Sequence, residues 1–359
     1  MNAGAPSRRR SQQRDQEKDR SQPGTNAGLR VSRRGLLAGM GLAGLALPAL
    51  VAGCDLDQGG SGIGTPPNRR RLKAAYINDG LAHSWCAQGK QTAETWGRWF
   101  GVDVTWYDGK ADVVQQRKAL DVIASQRWDF VAIQALGVDT LIDPVQTLLD
   151  KGIPVIEMDT QIDSSGTTQI TTHLGADQVA MAVASSTALF EAMGGKGTVI
   201  MTQGQLGHTG AQERAKGFYQ ALAKYPAIEV LATDAGQFDV NLTTRLWQGY
   251  LARYPDIRGA FFHNDDMALA AAKVIQRAGR KVLLSGIDAM PPAIHAVIEG
   301  TMTATVRNPS CRVHWGAIFV GILAATGVRN IPGSIVMDSP TVTAQNAQGL
   351  LFMEEQLLV

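Results

Sequence analysis

The chain has 359 residues, of which 18% are charged, and a formal net charge of +2. Residues 1–53 contain nine basic and three acidic residues, so the remaining 306 residues carry a net charge near −4. This balance argues against a nucleic-acid partner, which needs a basic surface on the folded part. Three cysteines are also too few for a disulfide-built scaffold.

The N-terminal segment has the layout of an export signal. Arg33 and Arg34 precede an apolar run of about 17 residues that is interrupted by Pro48, which is typical of a twin-arginine signal and short for a spanning helix. The small residues before Cys54 resemble a bacterial lipobox. We therefore expect residues 1–53 to be a signal peptide and Cys54 to be lipidated. The alternative is an uncleaved membrane anchor, and both readings place the rest of the chain outside the cytoplasm.

The next segment, residues 54–69, is rich in Gly, Ser and Pro, which predicts a flexible tether between the lipid and the folded part. With Cys54 assigned to the lipid, Cys86 and Cys311 remain, either as two buried thiols or as one bridge. The six histidines are scattered, and no two share a helix face at ligand spacing, so we expect neither a metal nor a cofactor.

After the tether, short apolar runs rich in β-formers alternate with longer amphipathic segments. The predicted strands are Lys73–Ile77, Val102–Tyr107, Phe130–Ile133, Val155–Met158, Gly197–Met201, Ile228–Thr233, Gly259–Phe262, Val282–Ser285 and Met302–Val306. The predicted helices include Val113–Ser125, Gln178–Met193, Ala211–Lys224 and Met267–Ala278. This alternation predicts an α/β fold with parallel sheets covered on both faces, and nine strands favour two doubly wound sheets over one. Ligands of such folds bind outside the carboxyl ends of the strands.

Short motifs with polar residues follow several of these strands. The motifs are Glu213–Phe218 (E-R-A-K-G-F), Phe262–Leu269 (F-H-N-D-D-M-A-L) and Gly286–Asp288 (G-I-D). With these motifs in this order and spacing, the chain from about Leu72 to Gln345 resembles the type I periplasmic sugar-binding proteins, most of all their ribose-binding branch.

The resemblance implies two α/β lobes joined by three crossovers, near Ala176, Asn308 and Asp338. The N-terminal lobe would comprise 70–176 plus 309–338, and the C-terminal lobe 177–308 plus 339–359. A sugar or polyol would bind in the cleft, the lobes would close over it, and the closed form would deliver it to the permease subunits of an ABC importer. We expect a monomer that performs no catalysis and is held at the membrane by its lipid.

The resemblance also points to residues of the ligand site. Side chains that match the polar contacts of the family are Asp159, Arg214, Asn264 and Asp288. Side chains that match its stacking aromatics are Trp85 and Phe238. Further polar side chains expected at the site are Asp79, His83, Gln134, Thr160 and Asn308.

Each of the matched residues also has a simpler structural interpretation. Asn264 and Asp288 precede predicted helices and could serve only as N-caps. Arg214 on an amphipathic helix is by default a solvated charge. Trp85 could belong to the core, whereas Phe238 stands in a polar loop, where core burial explains it less well.

Several positions depart from the pattern of the ribose binders. Thr160 stands where they have an arginine, so a bidentate fork is lost. His83 replaces a common asparagine, Cys86 a second aromatic residue, and Asn308 a glutamine. From these differences we expect a ligand other than ribose, such as another pentose, a hexose or a polyol.

Three other functions were weighed against this one. Asp159 and Asp288 could be the acid–base pair of a glycosidase, but no nucleophile elbow, phosphate loop or metal pair accompanies them. A transcriptional regulator of the same fold would carry a DNA-binding helix-turn-helix where this chain has an export signal. A sensory receptor component that binds a sugar-like signal without transport uses the same lobe closure and stays an alternative.

Overall fold

The computed structural model of the protein describes residues 70–355. The predicted signal peptide, the lipidation site Cys54 and the tether 54–69 lie outside the described residues. Among the residues described, no helix combines the length and the apolar character needed to cross a membrane.

The described chain forms twelve strands and ten helices. The strands are β1 (Leu72–Asn78), β2 (Val102–Asp108), β3 (Phe130–Ile133), β4 (Val155–Met158), β5 (Thr172–Ala176), β6 (Lys196–Gln203), β7 (Ala227–Ala235), β8 (Gly259–Phe262), β9 (Leu283–Asp288), β10 (Ala304–Arg307), β11 (Ser334–Met337) and β12 (Thr341–Val342). The helices are α1 (Ser84–Phe100), α2 (Val113–Ser125), α3 (Ile142–Asp150), α4 (Gln178–Ala192), α5 (Thr209–Leu222), α6 (Val240–Arg253), α7 (Asp265–Arg277), α8 (Pro291–Ile298), α9 (Ser310–Ala325) and α10 (Ala347–Glu355).

The strands form two six-stranded sheets. The first has the order β11-β5-β4-β3-β1-β2 and the second the order β12-β10-β9-β8-β6-β7. All neighbours in the first sheet are parallel, and in the second only β12 runs antiparallel, beside β10. The chain passes between the sheets three times, at β5–α4, at β10–α9 and at β11–β12. The predicted fold class, with its two doubly wound sheets and three crossovers, is confirmed.

Each sheet is covered by helices on both faces, as its sequence pattern requires. In the first sheet, Tyr76 and Phe130 pack toward α1 and α9, while Ile77 and Val131 pack toward α2 and α3. Successive residues of a strand point to opposite faces, so a strand buried on both sides reads as a continuous apolar run. Burying one such side chain contributes about 1.5–3 kcal/mol.

The second sheet repeats this arrangement. Residues such as Ile200 and Phe262 pack against α6, α7, α8 and α10, whereas Val199 and Phe261 pack against α4 and α5. The helices following each strand return along the sheet, so the carboxyl ends of the parallel strands stay free of helix bodies and open toward the cleft.

Three strands were not predicted: β5, β11 and β12. The sequence of β5 (T-H-L-G-A) has no apolar run, and β11 and β12 lie at the edges of their sheets with partly exposed side chains. Cys86 and Cys311, left open between thiols and a bridge, are both free and buried.

Candidate functional site

A small cavity of about 30 Å³ lies where the carboxyl ends of both sheets meet. It is lined by Asp79, His83, Trp85, Cys86, Gln134, Asp159, His208, Arg214, Phe238, Asn264, Asp288 and Asn308. Ten of these twelve residues are among the eleven predicted for the site. At about 30 Å³ the cavity is far below the usual size of ligand pockets, because the lining side chains lie close to one another in this arrangement of the lobes.

Asp159 is the acceptor at the centre of the cavity. It follows β4, is almost fully buried and receives three amide donors. Its Oδ2 accepts from Gln134 Nε2 at 3.1 Å, and its Oδ1 accepts from Gln178 Nε2 at 2.8 Å and from Asn308 Nδ2 at 2.9 Å. The donors come from both sheets and from a crossover, so this carboxylate connects the two halves of the site.

Arg214 is held rigidly in the wall of the second sheet, and it is only 3% exposed. Its Nε donates to Gln178 Oε1 at 2.8 Å, and its Nη1 donates to the backbone oxygen of His263. Its Nη2 lies 3.6 Å from Asp288 Oδ1. A buried guanidinium with fixed neighbours presents its remaining N–H groups in one orientation, so it is suited to bind hydroxyl oxygens.

Asp288 and Asn264 occupy equivalent places after β9 and β8 but are held differently. The interpretation of Asp288 as an N-cap is wrong, because the N-cap of α8 is Met290. Asn264 does cap α7, where its side chain accepts from Met267 N at 3.1 Å, and it also lines the cavity. Burial raises the pKa of Asp288 well above its usual value, and the guanidinium of Arg214 counteracts this effect.

The opposite wall carries a cluster of Asp79, His83 and Cys86, at the end of β1 and the start of α1. Asp79 Oδ2 lies 3.2 Å from His83 Nδ1, and the Cys86 thiol donates to Asp79 Oδ1 at 2.7 Å. Burial alone would raise the pKa of Asp79, but His83, His208 and Cys86 together lower it to about 2. Burial alone would lower the pKa of His83, but Asp79 raises it.

The same three side chains are the group among the described residues whose donor atoms could hold a metal ion. These atoms lie within 4.8 Å of one another. However, burial and the adjacent carboxylate raise the pKa of the Cys86 thiol well above its ordinary value. The three side chains hydrogen-bond to one another, so they form a connected wall of the cavity.

His208 and Phe238 close the cavity from the second lobe. The ring centroids of His208 and Phe238 are 5.2 Å apart, and Phe238 also meets the ring of His83 at 5.9 Å. His208 Nδ1 accepts from Ala211 N at the start of α5, and burial lowers its pKa to about 4. This histidine is therefore neutral at physiological pH. A Cβ at Gly204 would lie 2.0 Å from the Phe238 ring, so only glycine leaves room for it.

Three cavity residues have left-handed backbone conformations: Asp159 at φ 62°, Phe238 at φ 58° and Asp288 at φ 121°. Such conformations are unfavourable for residues other than glycine and persist where the surrounding structure enforces them. Asp159 directly follows β4, Asp288 is the last residue of β9 and Phe238 lies three residues after β7, and all three side chains line the cavity. This clustering of backbone strain is an independent indication of a functional site.

Trp85 and Thr160 differ from the expectation in instructive ways. Trp85 lines the cavity, but its Nε1 also donates to Asn308 O at 3.1 Å and its ring lies 4.9 Å from that of His314. Thr160 does not line the cavity, because its hydroxyl donates to Ala135 O at 2.6 Å and the side chain is buried behind the wall. The threonine side chain is short and its hydroxyl is already bonded to Ala135 O, so it does not extend into the cleft.

The cavity contains two residues that were not predicted as site residues, Cys86 and His208. Cys86 had been noted as a departure from the family but not as a contact, although it lies one helical turn after His83. His208 lies in the loop between β6 and α5 and is the N-cap residue of α5. Its position in the loop between the end of a predicted strand and the start of a predicted helix was the feature of the sequence that could have indicated a site residue.

Comparison with known proteins agrees with this architecture. The sequence pattern of the family described as the periplasmic binding protein domain matches residues 74–327. The xylitol-binding protein of Mycolicibacterium smegmatis is 27% identical over 320 residues, which are 88% of this chain and 87% of that protein. The ribose import binding protein of Escherichia coli is 31% identical over 171 residues, which are 47% of this chain and 56% of that protein.

Solved structures show the same fold. A galactofuranose binding protein superposes with a TM-score of 0.76 at 22% identity, covering 80% of this chain and all (100%) of that chain. A periplasmic solute binding protein of Actinobacillus succinogenes with bound D-allose superposes with a TM-score of 0.73 at 24% identity, covering 77% of this chain and 99% of that chain. From the match over most of its length and the arrangement of its two sheets around one cavity, the chain belongs to the periplasmic binding protein family.

Proposed function

We propose that the protein captures a sugar or polyol between its two lobes outside the cytoplasm, without altering it, and delivers it to an ABC importer. The observation that carries this proposal is the cavity itself, in which three carboxylates, a guanidinium and three side-chain amides from both lobes converge on a small buried space. Hydroxyl groups both donate and accept, so a molecule rich in them can satisfy such a mixed set of polar groups.

The hydrogen bonds within the cavity indicate how such a ligand would be held. Without a ligand, Asp159 accepts from Gln134 and Asn308, and the Oδ1 of Asn308 is buried without a partner in the described structure. Hydroxyl groups can donate to Asp159 and Asn308 and accept from Arg214. Hydrogen bonds to charged groups contribute about 1.5–3 kcal/mol each, so a few of them support micromolar binding, near −8 kcal/mol.

The composition of the walls favours a small polyol or a compact sugar over ribose. Phe238 and Trp85 line the cavity, the ring of His83 meets Phe238 edge-on, and Cys86 stands where the resembling sugar-binding proteins usually have a second aromatic residue. An acyclic polyol has no flat ring face and gains less from stacking between two rings. The xylitol-binding relative, matched over most of both chains, supports this direction.

Closure of the cleft is the second element of the proposal. We assign residues 70–176 plus 309–338 and 177–308 plus 339–359 to the two moving lobes. Contacts across the cleft include Ser84 N donating to Asp266 Oδ2 at 2.9 Å and Gln161 N donating to Thr209 Oγ1 at 3.2 Å. These bonds can form only when the lobes are together, so they stabilise the closed form that a permease would recognise.

The location follows from the N-terminal segment and the family. We propose that the twin-arginine signal exports the chain, that Cys54 carries the lipid, and that the protein works as a monomer with the permease subunits. Mass spectrometry of the N-terminus from the native membrane should give a chain that begins at a lipid-modified Cys54. A chain that begins elsewhere would remove the anchor from the proposal.

The ligand can be identified by thermal unfolding with a panel of polyols and sugars, followed by calorimetry. We expect one polyol or compact sugar to raise the melting temperature most, since a ligand that binds only the folded state stabilises it by mass action. Xylitol, ribitol, arabinitol, ribose, allose and myo-inositol form a sufficient first panel. Ribose as the tightest ligand would contradict the expected preference, and no response to any member would contradict the function.

A further inference from the structure

Five aromatic side chains form one continuous surface on the outside of the first sheet's helices. Trp96, Trp99 and Phe100 come from the end of α1, and Trp315 and Phe319 come from α9. The Trp96 ring centroid lies 5.3 Å from that of Trp99, 5.8 Å from Phe100 and 5.4 Å from Trp315. Phe319 completes the set at 4.7 Å from Phe100. We call these five residues the aromatic face.

The aromatic face is exposed and separate from the ligand site. Trp99 is 68% and Phe100 44% exposed, and three of the seven tryptophans of the chain belong to this face. Helix α1 begins at the cavity with Trp85 and ends at Phe100, a distance of about 22 Å at 1.5 Å per residue. Contiguous apolar surface of this kind marks contact with a protein or a membrane.

The chain enters the folded part beside this face. Leu72 N donates to Gly101 O at 3.0 Å, so β1 begins next to the residue that follows Phe100. The first described residue, Arg70, is largely exposed, and Arg98 extends from the last turn of α1. Fifteen residues separate Cys54 from Arg70, and they reach at most about 50 Å even when fully extended. An anchor at Cys54 would therefore leave Arg70 within about 50 Å of the bilayer, which allows the aromatic face to reach the lipid.

These observations favour a lipid surface over a protein as the occupant. Tryptophan and arginine side chains are typical of protein segments that lie at the level of the lipid headgroups. A permease that distinguishes open from closed forms must contact both lobes near the cleft, whereas the aromatic face lies on one lobe at the far end of α1. Resting on the proposed membrane attachment, we infer that the aromatic face is a bilayer-contact surface that lies among lipid headgroups.

The test uses the protein that begins at the lipid-modified Cys54, reconstituted into phosphatidylcholine–phosphatidylglycerol vesicles whose acyl chains are brominated. Bromine quenches only tryptophan close to the lipid, and residues 1–69 contain no tryptophan, so quenching reports on the folded part. We expect quenching of the wild-type emission relative to unbrominated vesicles and at least a twofold smaller effect in Trp99→Ala. The matched control is Phe352→Ala on α10, because Phe352 is similarly exposed, at 66%. The tryptophan emission of this variant should be quenched as strongly as that of the wild type.

Each other outcome overturns the inference. Absent quenching in the wild type shows that the face does not touch lipid, and equal quenching in Trp99→Ala shows that its most exposed ring is not a lipid contact, which contradicts the inference. A wild-type dimer in sedimentation velocity that Trp99→Ala converts to monomer, without quenching, would assign the face to a second copy of the chain. Ligand calorimetry on Trp99→Ala tests the proposed function separately from the lipid contact. Because the cavity lies at the other end of α1, the affinity of this variant for the ligand should equal that of the wild type.

Discussion

The two walls of the cavity hold charge in different ways. On the first-lobe wall, Asp79 and His83 form a pair at 3.2 Å in which the pKa of each shifts toward the charged form. On the second-lobe wall, Arg214 and Asp288 stand 3.6 Å apart, and burial raises the pKa of the carboxyl despite the guanidinium. The first wall is internally satisfied, whereas the second retains capacity for a partner. From this comparison we expect the first wall to shape the cavity and the second to contribute more to ligand affinity.

The largest effect should come from the second wall. Arg214→Ala removes a buried guanidinium and leaves Asp288 without its counter-charge, so we expect ligand affinity to fall at least tenfold, and Asp288→Ala should act likewise. Calorimetry measures the loss and circular dichroism verifies the fold. Lys216→Ala, an exposed lysine on the same helix, is the matched control. Affinity like that of the wild type in Arg214→Ala would remove this residue from the site.

A smaller effect on binding, with a measurable effect on stability, should come from the first wall. Asp79→Asn breaks the pair with His83, so the pKa of His83 should fall, as histidine NMR titration can show. The fold lowers the pKa of Asp79 from its ordinary value of 3.8 to about 2. This lowering corresponds to a contribution of roughly 2 kcal/mol to the free energy of unfolding. Asp121→Asn, an exposed carboxylate on α2, provides the control.

The pH dependence of that stability difference has a definite sign. Because the folded pKa of Asp79 is depressed, its contribution is present above about pH 4 and is lost as the pH falls toward 2. Because the folded pKa of His83 is raised, its contribution is present below pH 6.5 and is lost as the pH rises through the raised value. The free energies of unfolding of the wild type and of Asp79→Asn should therefore differ most between about pH 4 and 6.5. An equal difference at every pH would contradict the pairing of Asp79 with His83.

The smallest effect should come from a contact that joins the two walls. Asp266 Oδ2 accepts from Ser84 N, the first amide of α1, at 2.9 Å across the cleft. A carboxylate at a helix N-terminus is worth about 0.3–1 kcal/mol. Asp266→Asn should therefore weaken ligand binding about two- to fivefold by favouring the open form, and small-angle scattering should show a larger ligand-free radius. A variant whose affinity falls without any change in scattering would show that the contact does not control closure.

Sequence reasoning reached most of the site because site residues follow strands. Asp159, Asn264 and Asp288 stand at or just after strand ends that apolar runs identify, whereas Arg214 lies within α5 and was predicted from similarity to a known family. Thr160 was included because of its sequence position, but its hydroxyl is satisfied by Ala135 O. Position along the chain does not tell which way a side chain points after a sharp turn.

The strands that were missed teach the same lesson for the fold. Strand β5 contains His173, whose Nδ1 lies 2.6 Å from Glu157 on neighbouring β4, and a polar pair of this kind leaves no apolar pattern to find. Edge strands β11 and β12 bury little and so carry a weak signal. Their place in each sheet depends on which neighbour is available after the chain crosses between lobes.

By itself the sequence determined the class of the fold, the alternation of strands and helices, and the end of each sheet where polar residues gather, because burial on two faces imposes local apolar patterns. Only the tertiary structure decided which strand ends meet across the cleft. It brought His208 and Cys86 into the cavity and assembled the aromatic face from two helices that lie more than 200 residues apart in the chain. Contacts between distant segments depend on how the sheets and helices pack in three dimensions, and local patterns carry no information about them.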